Sequence, residues 1–283
     1  MAAFEPDHVL HRTPTMYRRT SLLAVALVTS LALACGSGGG GGAGNFNLIS
    51  IEEEWQLGQQ ISADVARQVR FNTDPAVNEY VRSMGQRIVA QAPDPFNRLP
   101  WEFHVVDDPS INAFAIPGGH VYVNTGLIAA AENASQLAGV MAHEISHVTA
   151  RHTTESISRQ YGLSILAGLV LGQNPGTVSQ IAAQIIAGGA IARFSREDER
   201  EADELGIQAM YRAGYDPRGM AAMFRVLQAH AKNNPGRVEA FFSTHPTTDS
   251  RIRDAENRAA QMGSNANLIT DEPQFQSIKS RVA

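Results

Sequence analysis

Apolar residues recur at spacings of three and four along most of the chain and alternate with polar ones in only a few short stretches. That pattern predicts an α+β domain, mostly helical, with a small sheet near its start. Ser50 to Phe71 reads as a helix, with Ser50 and Glu53 as a capping box and Ile51, Trp55, Ile61, Val65 and Val69 on its apolar side. Asp74-Pro75 opens a second helix with Val77, Tyr80, Val81, Met84 and Ile88 inward, and the Pro-rich turn from Pro93 to Pro100 ends it. Trp101 to Val106 alternates, with Trp101, Phe103 and Val105 on one face, which predicts a strand. Ile111 to Ile116 and His120 to Asn124 predict two more, joined by the turn Pro117-Gly118-Gly119.

Helices follow. Leu137, Val140, Met141, Ile145 and Val148 mark an amphipathic helix entered through a capping box of Asn133 and Gln136. Two apolar pieces, Leu163–Leu171 and Ile181–Ile191, flank Gln173-Asn174-Pro175-Gly176. Each is about half the length of a bilayer span, so buried helices or a hairpin brushing a surface are expected. A long helix runs from about Ser195 to Gly214, Asp216-Pro217 opens another, and a last one covers roughly Thr248 to Met262 with Gly263 past its end. The expected folded domain is 45–263, followed by a tail at 264–283.

The first residues differ from the rest. Arg18 and Arg19 precede an apolar run from Ser21 to Ala34, the form of a secretory signal and too short for a comfortable span. Cys35, the single cysteine, ends that run, and Leu31-Ala32-Leu33-Ala34-Cys35 resembles a bacterial lipobox. Residues 1–34 are therefore expected to be a lipoprotein signal peptide, Cys35 a lipidation site, and 35–44 a glycine-rich tether holding a domain off a membrane. A lipidated Cys35 excludes cysteine-protease chemistry. The composition of the whole chain, 43% hydrophobic and 18% charged with a net charge of −5, is ordinary for a globular protein and offers no basic footprint for nucleic acid.

The chemistry concentrates at His143-Glu144-Ile145-Ser146-His147. Two imidazoles four residues apart on a helix point the same way and can hold one metal ion. Glu144 stands about 100° around the helix from His143, beside such an ion without ligating it. A chain of this composition contains the pattern by accident in roughly 1–2% of cases. Its place on a capped, apolar-faced helix argues for zinc. A catalytic zinc site takes three protein ligands and a water. The helix from Ser195 offers two acidic faces, Glu197 with Glu201 and Glu199 with Asp203, and spacing leaves both open.

His143-Glu144-x-x-His147 followed by Glu199-Arg200-Glu201-Ala202-Asp203 resembles the signature of the HtpX and CAAX-prenyl-protease metallopeptidases. Ser195-Arg196, Asn112-Ala113-Phe114-Ala115, Pro117-Gly118-Gly119, and Thr244-His245-Pro246 with Arg251 extend the resemblance over most of residues 50–260. It is nearest to the BepA-like secreted bacterial branch, which lacks multiple membrane spans. That branch carries a C-terminal helical-repeat domain, for which the chain after its last helix is expected to be too short. The resemblance implies a zincin-like domain with Glu199 as third zinc ligand and Asp203 orienting a ligand histidine. It also implies Glu144 as general base and a polypeptide substrate, outer-membrane proteins among the expected ones. His245 is expected either to contact the reacting carbonyl or to take the fourth zinc position and keep the enzyme latent. The strand His120–Asn124 is expected to be the edge on which substrate docks. His152 is expected to be structural, and His104, His120 and His230 have no nameable partner. The expected setting is the periplasmic side of a bacterial envelope. The alternative expectation is a zinc-stabilised assembly factor with weak proteolysis.

Overall fold

The computed structural model describes residues 47–188, 190–263 and 265–283, which leaves the expected signal peptide, Cys35 and the glycine tether outside the described residues. Helix α1 (Ile51–Gln68) begins in the capping box of Ser50 and Glu53, and α2 (Pro75–Val89) begins at Asp74, whose carboxylate accepts from the Ala76 and Val77 N–H groups. Strands β1 (Glu102–Val106), β2 (Ala113–Ile116) and β3 (His120–Asn124) follow. The turn between β2 and β3 places Gly118 and Gly119 at φ 82° and 72°, where a side chain would be strained. Then come α3 (Thr125–Ala130), α4 (Ala134–Thr149), α5 (His152–Val170) and α6 (Pro175–Ile186). The chain closes with α7 (Arg196–Arg212), α8 (Arg218–Asn233), α9 (Glu239–Thr244), α10 (Asp249–Gln261) and α11 (Pro273–Val282).

The sheet order is β1-β3-β2, with β1 parallel and β2 antiparallel to β3. The expected docking edge is thus the central strand, paired on both sides, and cannot accept a third neighbour. Of the two edges, β1 is bridged to the segment at Phe71 through Val106, and β2 has no strand on its outer side among the described residues. Asn124 N–H donates to Asn112 O at 3.0 Å. Alternation then bonds the pairs Phe114–Tyr122 and Ile116–His120 and turns the N–H and C=O of Ala113 and Ala115 outward.

Both faces of the sheet are covered. Val121 and Val123 enter a larger core with Phe103, Val105, α2, α4 and α8, while Phe114, Ile116 and Tyr122 enter a smaller one with α1, α5 and α6. The α4 helix lies between the sheet, α7 and α8, and every residue from Ala134 to Val148 is buried, so the expected polar flank does not reach solvent. Its start is also only half of the expected box: Asn133 accepts from Gln136 N–H, but the Gln136 side chain accepts from Glu132 N–H instead. Gly206 lets α7 come close to α4, since a Cβ there would sit 3.2 Å from the His143 backbone nitrogen.

The first apolar piece forms the second half of α5, after a break at Gly162 with φ 71°, and the second supplies the last half of α6, Ile181–Ile186. Leu166, Leu169, Ile181 and Ile185 face inward, whereas Leu163 and Leu171 are 58% and 71% exposed. Among the described residues no helix is long and apolar enough to cross a membrane. The expected tail at 264–283 carries α11, whose Phe275 and Ile278 are buried in the larger core.

Candidate metal centre

One turn of α4 brings His143 and His147 together, with their Nε2 atoms 3.0 Å apart. From α7, Glu199 places Oε1 3.4 Å from His147 Nε2 and Oε2 3.6 Å from His143 Nε2. His245, immediately after α9, places Nδ1 3.2 Å from His143 Nε2 and 2.8 Å from Glu199 Oε1. The face left open by spacing is thereby resolved. Glu199 and Asp203 point inward, while Glu197 and Glu201 are exposed.

The side chains around these four fix ring orientation. Asp203 Oδ1 lies 2.9 Å from His143 Nδ1, and a carboxylate there favours the tautomer with the proton on Nδ1 and the Nε2 lone pair facing the cluster. His147 Nδ1 meets His152 Nδ1 at 2.9 Å, and His152 Nε2 lies 3.5 Å from Glu201 Oε2. The expected structural role of His152 is therefore a specific one, holding a histidine of the cluster. Phe194 stacks on His147 with centroids 4.0 Å apart.

Arg251 was legible only as part of a motif, and its role was not. It donates from Nε and Nη2 to the two Asp203 oxygens at 2.7 Å each, pairs with Glu199, and donates from Nη1 to Pro246 O at 3.1 Å. Its guanidinium also lies 4.8 Å from the centre of the Phe224 ring. Arg251 thus ties together both carboxylates of α7 and the segment that carries His245.

Glu144 is 2% exposed, its Oε1 has no hydrogen-bond partner, and the His245 Nε2 lies 3.4 Å from that atom. Burial pushes its carboxyl above the usual range, opposed by the His245 and His143 rings and, more weakly, by the Ala115 N–H of β2. Burial holds His147 well below the ordinary histidine value, which keeps it neutral and able to ligate. Burial would raise Glu199, but the His245, His147 and His143 rings hold it well below. Burial likewise opposes the charge on His245, and the Glu199 and Glu144 carboxylates outweigh it.

Ligand atoms around a tetrahedral zinc at ~2.0–2.1 Å stand roughly 3.3–3.4 Å from one another. Here three ring nitrogens and a carboxylate face inward at 2.8–3.6 Å, all within 4.8 Å, with Glu144 Oε1 orphaned beside them. Nitrogen and oxygen donors in this arrangement fit zinc. His143, His147, Glu199 and His245 are each no more than 2% exposed. A cavity of about 470 Å³ between α7 and α10 reaches Glu199, Asp203 and Arg251 but is lined by none of the three histidines nor by Glu144.

The chain spans about half the length of several relatives it matches. It is similar to the beta-barrel assembly-enhancing protease of Escherichia coli K12, with 32% identity over 237 residues covering 76% of this chain and 45% of that one. The protein of the same name in Yersinia pestis is 35% identical over 223 residues, with the same coverage. The mitochondrial metalloendopeptidase OMA1 of Schizosaccharomyces pombe is 32% identical over 214 residues, 75% of this chain and 62% of that one. The model of peptidase family M48 matches residues 75–259, which takes in all four clustered side chains, Glu144, Asp203 and Arg251, and the chain belongs to that family.

Proposed function

We propose that this chain is a zinc endopeptidase in which His143, His147 and Glu199 hold the ion and Glu144 is the general base. The observation that carries this reading is the buried Glu144 carboxylate, its Oε1 unpartnered, beside an inward-facing set of nitrogen and oxygen donors. A purely structural zinc site has no use for such a base. The ion, when bound, supplies polarisation of the scissile carbonyl and activation of water. Glu144 takes the proton of the attacking water and delivers it to the leaving amine, a transfer suited to a carboxyl raised by burial. Asp203 and Arg251 position the His143 ring and the Glu199 carboxylate. A substrate strand adds to the outward groups of Ala113 and the carbonyl of Ala115 on β2, next to the Ala115 N–H that reaches Glu144, which sets its register beside that carboxylate.

With every group of the centre buried, a peptide reaches it only after a rearrangement. His245 completes a closed shell of four, the arrangement of a latent or structural site, and this favours a low basal activity as the second reading. Opening then requires His245 to leave the cluster. The relatives' name suggests substrates among β-barrel outer-membrane proteins, alongside misfolded envelope polypeptides. Lipidation at Cys35 would tether the domain on the periplasmic side of a bacterial envelope, on the outer membrane by its sorting residue Gly36.

Casein degradation by the zinc-loaded chain, after chelation and after reloading, tests the function. Loss on chelation and recovery with zinc is expected, and degradation indifferent to chelation overturns it. His245→Ala tests latency: basal turnover should rise, and unchanged turnover with unchanged zinc affinity removes the gate.

A further inference from the structure

Three side chains of metal-ligating type meet on the sheet face opposite α4 and take no part in the centre above. Glu102 and His104, two apart on β1, share a face, and the parallel register pairs Glu102 with His120 on β3. The His104 Nε2 lies 3.5 Å and the His120 Nδ1 3.6 Å from Glu102 Oε2, and all three atoms fall within 4.8 Å of one another. Both nitrogens are shielded from solvent and have no hydrogen-bond partner, although His120 is only 1% exposed. A buried imidazole nitrogen aimed at a carboxylate and a second free ring nitrogen is a costly arrangement unless something joins them.

We propose that Glu102, His104 and His120 form a second divalent-metal site, of the chemistry that takes Zn(II). The surroundings supply what such a site needs. The His104 ring is held by stacking on Tyr122 at 4.8 Å and on Phe71 at 5.4 Å. The Gln59 amide nitrogen lies 3.1 Å from His120 Nε2, and a half-turn of that amide exchanges its nitrogen for its oxygen. With the amide oxygen turned toward the ring, Nε2–H donates and Nδ1 keeps its lone pair for the ion. Burial also lowers both histidines, His120 to about 4, so neither must lose a proton at neutral pH. Glu102 is half exposed, which leaves one side of the site open to water. Two imidazoles and a carboxylate with an open position suit zinc. The ion would pin β1 to β3 and stabilise the fold by binding it.

Equilibrium dialysis of the full chain against Zn(II), with metal counted per chain, tests the site without reference to turnover. The native chain should hold two equivalents. Glu102→Gln and His104→Phe, the second keeping the ring stack, should each hold one, and filling the second equivalent should raise the thermal midpoint of the native chain only. One equivalent in the native chain, or a second retained by both variants, overturns the proposal. Because the remaining equivalent reports His143 and its partners, failure of either site is distinguishable from failure of the other.

Discussion

The two histidine clusters lie on opposite faces of one sheet and differ in how far the fold commits them. At His143, His147, Glu199 and His245 four donors converge, three of them are held by a further side chain, and no group is more than 2% exposed. At Glu102, His104 and His120 three donors converge, one is half exposed, and two nitrogens have no partner. The first cluster is assembled from α4, α7 and the segment after α9, tied by Arg251. The second hangs on the pairing of two strands. Enclosure with a spare base supports the reading of the first as a reaction centre, while the proposed second site has no neighbouring group to move a proton.

The largest effect separating the two should come from Arg251. Arg251→Met leaves Asp203 and Glu199 buried without their cation, and breaking such a group costs about 3–5 kcal/mol. Urea unfolding of the zinc-free chain should show this loss, whereas Glu102→Gln at the open cluster, with no ion there to lose, should shift the midpoint little. A drop as small for Arg251→Met as for Glu102→Gln would erase the distinction.

Next in size, the zinc-free chain should lose stability in acid through the open cluster. His120 is depressed in the fold from an ordinary 6.5 to about 4. The unfolded chain therefore binds the proton first, so stability is full above pH ~6.5 and falls as pH drops toward ~4, by at most ~3.5 kcal/mol at ~1.4 kcal/mol per pH unit. Denaturation midpoints of the native chain and His120→Asn across this range check it. The variant should show a flatter profile, and parallel profiles would contradict the assignment. A smaller effect is expected at Asp203. Asp203→Asn keeps the shape but weakens the hold on His143, and the first zinc equivalent should bind about 10–100-fold less tightly. Dialysis reads this directly, with the second equivalent unchanged.

Local signals were legible in the sequence. Ser50 with Glu53, Asp74 before Pro75 and Thr248 mark helix starts because each satisfies backbone N–H groups within three residues, and the fold uses all three. The H-E-x-x-H spacing was legible for the same reason, since a helix places i and i+4 together. What depended on pairing between distant segments was not legible. Alternation marked β3 as a strand but could not say that it lies between β1 and β2, so the free edge was misassigned. Glu102 and His104 share a face by period alone, yet only the parallel register brings His120 to them. Arg251 reaches Asp203 across 48 positions. The docking of α11 depends on Phe275 finding α2 and α3, which no local pattern announces.

In the proposed mechanism Glu144 acts on a centre that holds its metal without it. Measuring zinc content and casein turnover together in Glu144→Gln tests this most directly. The variant should keep the zinc equivalent at His143, His147 and Glu199 while turnover falls by about 10²–10⁴-fold, the usual worth of a positioned acid–base group. Turnover equal to that of the native chain, with zinc retained, would contradict the mechanism.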